Sequence, residues 1–468
     1  MGSRQTNLTR LQKAFQKIGI KVDYDQGIYS LNNSKAHAKV LLPEDLPLEE
    51  KAVRQLLDFA AVSYPEHDGH VCATCATPDF HPGNLAPVGS VVATTPDMVI
   101  PQSIGKDVNC GMQLLSTPIL EAEAMDKLPK LEKHLVRAFF EGGRDVPVSG
   151  TAFRALFDEG PSGFLNAVPR RGVWAEADFA RMNQDMDRCI ALSEFKSHSR
   201  YAPEVLIEDR DMIRDPGLGT IGSGNHFVEF QIVDQIYDGR IAYQYGLQEG
   251  CLTVMIHTGS RDVGSFVGGQ WIDKAKDAWP KGLAHPKSGL YVLTRDAADD
   301  YLQAMGTAAL YAWLNRTVIA EMIRKSLREV LDCETCSLVV DVPHNVVLQE
   351  HGMNIHRKGA TPAREGDLAL VPGSMGDYSY LVLGLGNPDW LWSCSHGAGR
   401  SVRRQAMRTG KASGGREMAW RCLTLNEERK TEEAPAAYKP VAPVLTSQEE
   451  KAMIQSAARF RPWLTLKA

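Results

Sequence analysis

No stretch of the 468 residues approaches 18 uninterrupted apolar positions, so no segment reads as a membrane-spanning helix. The N-terminal run MGSRQTNLTRLQ lacks the apolar centre of a secretory signal, and a cytoplasmic location is expected. Gly2 and Thr6 do fit the loose pattern for myristoylation. An excess of basic charge is missing too. The 52 Lys and Arg against 57 Asp and Glu leave a formal net charge of −5, so any nucleic-acid site must be a local patch. Cysteine numbers only nine, with no framework spacing, which favours reduced thiols over a disulfide scaffold. Two CxxC pairs, Cys72/Cys75 and Cys333/Cys336, lie much farther apart than the roughly 15–20 residues of a compact zinc ribbon. A joint zinc site would need the fold to bring them together. There is no Walker A motif and no repeat of fixed period.

What is present is an ordinary globular composition, 43% apolar and 23% charged, in a chain long enough for a large core. Apolar spacing predicts helices over 47–64, 119–142, 174–196 and 296–331, the last with a break expected at Gly306. Strands are expected at 88–95, 111–118, 226–233, 240–245 and 252–260, then in quick succession through SLVVDV, NVVLQE, NIHRKGA, DLALVPGS and YSYLVLGLG. Residues 427–445 read as a charged, proline-rich connection over the surface, and 446–460 as a last helix. This mixed order points to an α+β fold, one large catalytic domain with mixed sheets surrounded by helices. Residues 1–70 are expected to pack on a domain spanning 71–468, with 427–468 completing its pocket.

The polar residues at strand ends are the candidates for chemistry. His226, His257 and His344 each adjoin a strand-like run, and Asp107 and Cys110 sit three apart in the loop KDVNCG. Three imidazoles, a carboxylate and a thiolate form a mixed donor set that suits manganese or zinc better than magnesium. GLGTIG (217–222) fits GxGxxG, but a turn-like RDP precedes it and GNHFVEF follows, so the strand-then-helix setting of a dinucleotide site is absent. VPGSMGDYS and SHGAGR carry the small residues that expose backbone N–H groups to phosphate. Within SCSHGAGRSVRR, the residues alone leave His396 open as a core histidine, a metal ligand or a nucleophile able to form a phosphoramidate.

The runs TPDFHPG, GKDVNCGM, GTIGSGNHFVE, HTGSRDVG, PHNVV, HRKGAT, VPGSMGDYSYLV, SCSHGAGR and AYKPV resemble, in order, the RtcB family of GTP- and manganese-dependent RNA-splicing ligases. The resemblance implies that family's α+β fold and two Mn2+ ions, one held by Asp107, Cys110 and His226, the other by Cys110, His257 and His344. It implies GTP as co-substrate and His396 as the histidine that carries GMP. The guanylate pocket would comprise Asn225, His226, Phe227, Val228, Glu229, His344, Asn345, Pro372, Gly373, Ser374, Met375, Ser379, His396, Gly397, Ala398, Gly399 and Lys467. Arg261 and Arg400 would balance phosphate charge, with Asp79 and Lys358 in supporting roles. RNA contact would fall to Arg357, Lys358, Arg400, Arg403, Arg404 and Arg408. The implied reaction joins an RNA 3′-phosphate or 2′,3′-cyclic phosphate to a 5′-hydroxyl, in tRNA splicing or RNA repair. A metal-dependent cyclic phosphodiesterase without ligation and a non-catalytic RNA-binding relative are the competing readings. The sequence departs from the family pattern at Lys106, Thr258, Asp262 and in SVRR, where Met-Ser-Arg is frequent.

Overall fold

Alternating apolar residues build two large sheets, with two small two-stranded ones beside them, and the site lies where the large sheets meet. A computed structural model of the chain describes residues 2–65, 67–408 and 420–468, with side chains from residue 8 onward. The side chain of Thr6 in the acylation pattern is outside the described residues. The first sheet has seven strands, ordered Lys21–Asp25, Ile28–Asn32, His37–Leu41, Val71–His81, Val88–Thr94, Met353–Lys358 and Asn345–Glu350. N-terminal residues thus extend the same sheet as the middle of the chain. The second runs Ser337–Pro343, Gly111–Leu120, Cys251–Thr258, Phe227–Ile236, Ile454–Leu466, Ser379–Gly384 and Leu368–Val371. The short strand Cys422–Leu423 joins it parallel to Ile454–Leu466. With helices packed on both sheets, the fold is α+β, as the element order predicts.

The helix Asp296–Leu331 passes through the interior, buried on nearly every side over its last two-thirds. It does not break at Gly306. A Cβ there would sit 1.9 Å from the Lys196 carbonyl, so the glycine lets the 196–198 segment lie against the helix. Thr307 Oγ1 then accepts from His198 N at 3.0 Å. Polar residues of this helix reach the loops that carry the candidate ligands. Arg316 pairs with Asp341 and donates to the carbonyls of Asn109 (2.9 Å) and Thr258 (3.1 Å). Asn315 Oδ1 accepts from Gly219 and Thr220 N, while its Nδ2 donates to the Thr220 and Gly259 carbonyls.

Several local expectations are corrected. Residues 240–245 are not a strand: Asp238 caps Gly239–Tyr245 as a helix, accepting from Arg240 and Ile241 N, and Gly246 closes it at φ 66°. The final helix covers Val441–Glu450 rather than 446–460. Beyond a turn with Ala452 at φ 49°, the chain becomes the strand Ile454–Leu466. In the stretch 174–196 only Phe179–Asp185 is α-helical, flanked by short 3-10 turns. The Gly- and Pro-rich segment before it holds a helix, Gly150–Ala167, capped by Ser149 and kinked at Gly160–Pro161. Residues 119–142 split into Glu121–Asp126 and Leu128–Phe139, and the first long helix narrows to Glu50–Ala60. The 427–445 connection is not merely superficial, because Glu432, Glu433, Lys439 and Val441 are buried.

Replacing a mid-helix glycine by alanine ordinarily favours the helix by about 1 kcal/mol. Gly306→Ala is expected instead to destabilise by about 1–3 kcal/mol, because its methyl meets a backbone carbonyl that side-chain motion cannot relieve. Denaturant unfolding checks this as a lowered midpoint with unchanged slope.

Candidate active site

Antiparallel pairing makes strand starts and strand ends coincide at one rim of the second sheet. Met112 and Phe227 both lie opposite His257, and Gly111 lies opposite Pro343. Cys110, His226 and His344, each one residue outside its strand, therefore gather around His257. Asn109 adopts φ 50°, a left-handed conformation that asparagine tolerates, and turns the loop at Cys110. Its N–H donates to Asn345 O and His344 N–H donates to Cys110 O, both at 2.8 Å.

The donor atoms converge. Cys110 Sγ lies 3.2 Å from His226 Nε2 and 3.3 Å from His257 Nε2. His226 Nε2 is 3.1 Å from Asp107 Oδ2, and His257 Nε2 is 3.3 Å from His344 Nε2. Two imidazole nitrogens facing each other share at most one proton, so such an array suits a cation better than hydrogen bonds alone. Burial drives the His257 and His344 imidazoles well below their ordinary pKa, keeping both neutral and able to donate lone pairs. Burial, with Asp107 beside it, pushes the Cys110 thiol well above its usual range. Burial also acts to raise Asp107, but His226, Lys358 and the Cys110 thiol together offset it and hold that carboxyl well below the usual carboxylate range. A divalent cation would convert the thiol to thiolate and complete the set. Cys110 thus stands between the Asp107–His226 pair and the His257–His344 pair, within reach of three candidate ligand atoms for a metal ion.

The first sheet and a separate two-stranded sheet supply the facing wall. Strand Ser393–Ser395 pairs with Ala360–Pro362 and delivers His396 at its end, with its ring centroid 4.7 Å from that of His344. Asp79, wholly buried on Val71–His81, accepts from His396 Nδ1–H at 2.6 Å. Burial acts to raise the Asp79 carboxyl, yet the hydrogen bond and charge of His396 and the Thr77 hydroxyl leave it below its ordinary value, so it is ionised. An ionised acceptor at Nδ1 fixes the tautomer with the lone pair on Nε2, which makes no hydrogen bond to the described residues. Gly399, at φ 77°, allows this approach: a Cβ there would lie 2.4 Å from the Asp79 carbonyl oxygen.

A cavity of about 470 Å³ opens between the two walls. It is lined by Asp107, Cys110, Asn225, Phe227, Glu229, His257, His344, Asn345, Lys358, Pro372, Gly373, Ser374, Met375, His396, Gly397, Ala398, Gly399, Arg400 and Lys467. Not every candidate residue faces it. Val228 packs in the core beside Phe230, and Ser379 lies behind Glu229, accepting from Gln231 Nε2 at 3.0 Å. Arg261 donates to Thr220 Oγ1 at 3.0 Å and lies against Gly222, next to His226 rather than on the cavity wall. Glu229 is held by Gln231 Nε2 (2.7 Å) and Thr465 Oγ1 (2.6 Å), and burial raises its pKa. Burial lowers that of Lys467, whose Nζ donates to His226 O at 3.4 Å. Lys358 is lowered by burial as well, against the pull of Asp107 and Cys110, and donates to Ile104 O at 2.8 Å.

The proposed RNA contacts fare unevenly. Arg357 is fully buried, paired with both oxygens of Glu350 and bonded to Ser393 Oγ, so it braces the approach to His396 and does not meet RNA. Arg400 spends its nitrogens on Glu433, Tyr438 and the carbonyls of Val402 and Glu432. Arg404 pairs with Glu433, and Arg408 with Glu432, both glutamates having fully buried side chains. Arg403, exposed on the cavity lip, has no ion-pair partner among the described residues. Sequence reasoning missed Thr77, His81, Glu433, Tyr438 and Lys439, which lie at or directly behind the cavity; all but Glu433 fall inside the family-like runs TPDFHPG and AYKPV. The two CxxC pairs stay apart, since Cys75 packs in one core cluster and Cys333 and Cys336 in another.

A family model described as tRNA-splicing ligase RtcB matches residues 60–468. The chain belongs to the RtcB family. It is similar to the tRNA-splicing ligase RtcB of Pyrobaculum aerophilum, at 32% identity over 82% of this chain and 85% of the relative. That of Archaeoglobus fulgidus is 31% identical over 89% and 90%. The RNA-splicing ligase RtcB of Mycobacterium tuberculosis is 32% identical over 84% and 96%. The donor cluster and RtcB membership together fit a metal-dependent ligase.

Cobalt(II) is expected to produce a sulfur-to-metal charge-transfer band in the wild type and none in Cys110→Ala. Its affinity should rise with pH, because the thiol must lose its proton to bind. Affinity indifferent to both pH and Cys110 would remove the thiolate from the site.

Proposed function

We propose that the chain is a GTP-dependent RNA ligase, joining 3′-phosphate or 2′,3′-cyclic phosphate ends to 5′-hydroxyl ends in tRNA splicing or RNA repair. The observation that carries this reading is the His396–Asp79 pair at 2.6 Å, set on a cavity shared with the convergent metal donors. With Nδ1–H directed at Asp79, the Nε2 lone pair attacks the α-phosphorus of GTP. An N–P bond forms, the bond from α-phosphorus to the bridging oxygen breaks, and pyrophosphate leaves with that electron pair. Asp79 offsets the positive charge the ring acquires, much as a carboxylate orients and stabilises a catalytic imidazole elsewhere. An oxygen of the RNA 3′-phosphate then attacks the phosphorus of the GMP, restoring His396. The 5′-hydroxyl attacks the activated 3′-phosphate and GMP departs. A cyclic end is first hydrolysed to the 3′-phosphate.

Asp107, Cys110, His226, His257 and His344 would hold two Mn2+ ions, which supply Lewis-acid neutralisation of the phosphate oxygens. For the base, Glu229 keeps lone pairs beyond those used by Gln231 and Thr465, and guanine presents an N1–H and a 2-amino group to such an acceptor. Adenine has no N–H at N1, which accounts for GTP over ATP. Near the phosphates, Ala398 N–H is already committed to Pro372 O, leaving the N–H groups of Gly397 and Gly399 available.

Incubation with α-labelled GTP and manganese is expected to label the wild type covalently and leave His396→Ala unlabelled. Asp79→Asn should slow labelling by about 10²–10⁴-fold. Adduct formation by His396→Ala at the wild-type level would refute the assignment, and opening of cyclic phosphate without any adduct would favour the phosphodiesterase reading. Arg403→Gln is expected to weaken RNA binding while leaving GMP-adduct formation intact. The slope of log affinity against log salt should fall by about 0.7, the value of one phosphate contact on a single strand.

A further inference from the structure

Asp79 is held from three directions. Its Oδ2 accepts from His396, and its Oδ1 accepts from Thr77 Oγ1 at 2.5 Å. The third hold acts on its backbone. Lys439 Nζ donates to the carbonyls of Pro78 (3.1 Å) and Phe80 (2.7 Å), the residues on either side of Asp79. The N–H of the same lysine donates to Gly399 O at 2.9 Å, three residues beyond His396. Lys439 is 2% exposed and forms no ion pair among the described residues. Burial lowers its pKa to about 8, against the pull of Asp79 and Glu49. A buried ammonium met only by carbonyls is unfavourable, and an aliphatic side chain of similar volume would fill the space at lower cost. What the lysine adds is a cross-link between the Asp79 strand and the His396 loop, two segments that no strand pairing joins.

We propose that Lys439 and Thr77 are positioning residues for phosphoryl transfer at His396. Lys439 locks the backbone around Asp79 to the loop that follows His396, and Thr77 prevents the carboxylate from turning away from Nδ1. Both act through Asp79 and neither touches substrate. The inference rests on the reading that His396 receives GMP from GTP.

The test uses the full-length protein with manganese and GTP, measuring the rate of His396 labelling against GTP concentration. Lys439→Met is expected to lower the maximal rate about 10- to 100-fold, the scale of a displacement near 1 Å, with half-saturation by GTP within about twofold of wild type. Lys439→Arg should recover part of the loss. Thr77→Val, a smaller change that keeps the shape of the side chain, should lower the maximal rate about 10-fold, with Thr77→Ser near wild type. Nitrogen NMR of the histidines gives an independent readout: Nδ1 of His396 is protonated and hydrogen-bonded in the wild type, and this signature weakens in Lys439→Met and Thr77→Val. Wild-type rates and signatures in both variants would overturn the proposal, as would a loss confined to GTP half-saturation. If the wild type itself fails to label, the ligase reading fails, while a changed His396 signature in the variants still upholds the positioning roles and an unchanged one refutes them.

Discussion

Arg316 is the point on which the site depends. Its guanidinium, 2% exposed in the middle of the long helix, pairs with Asp341 and also holds the carbonyls of Asn109 and Thr258. These belong to three segments distant in sequence, each next to a proposed ligand: Cys110 follows Asn109, His257 precedes Thr258, and His344 lies three residues past Asp341. An isolated buried charge costs several kcal/mol, and this one is offset only while all three segments keep their places. Stability and ligand geometry are therefore coupled through one side chain. Asn315, next to it on the helix, extends the arrangement to the 219–220 loop that leads to His226.

The two walls of the cavity have separate scaffolds. The second sheet gathers nitrogen, sulfur and oxygen donors at one rim by strand register. The first sheet brings Asp79 and Lys358, while the separate two-stranded pairing of Ala360–Pro362 with Ser393–Ser395 delivers His396. His344 stands at the junction, after Ser337–Pro343 of the second sheet and before Asn345–Glu350 of the first. Its ring contacts both His257 and His396, so it joins the donor cluster on one wall to His396 on the other. This arrangement sets the His396 ring beside the cluster of nitrogen, sulfur and oxygen donors.

Much of this was legible in the sequence, for identifiable reasons. Strands with clean alternation, such as SLVVDV and NVVLQE, announce themselves, and motif order pointed to the donors and to His396. Local pattern failed where flanking residues decide the outcome. RIAYQY alternates like a strand, but Asp238 and Gly246 cap it as a helix. The last strand was hidden because IQSAARF also suits a helix, and Pro462 is tolerated there beside a bulge in the pairing. Contacts across long separations could not be read at all. Asp79 and His396 stand 317 residues apart. The burial of Glu432 and Glu433 against Arg400, Arg404 and Arg408 turns an apparent basic patch into an ion-pair network, and of these arginines and Arg403 only Arg403 has no ion-pair partner among the described residues.

The strand Ile454–Leu466 lies between Phe227–Ile236 and Ser379–Gly384, in the interior of its sheet rather than at an edge. During synthesis these residues leave the ribosome after every other strand of that sheet. Until they insert, Phe227–Ile236 has an open edge, Glu229 lacks Thr465, and the pocket lacks Lys467. Such long-range pairing is slow to form and is built late. The donor cluster Cys110, His226 and His257 draws on strands made earlier, whereas the cavity wall gains Lys467, and Glu229 its bond from Thr465, only with the last strand of the sheet.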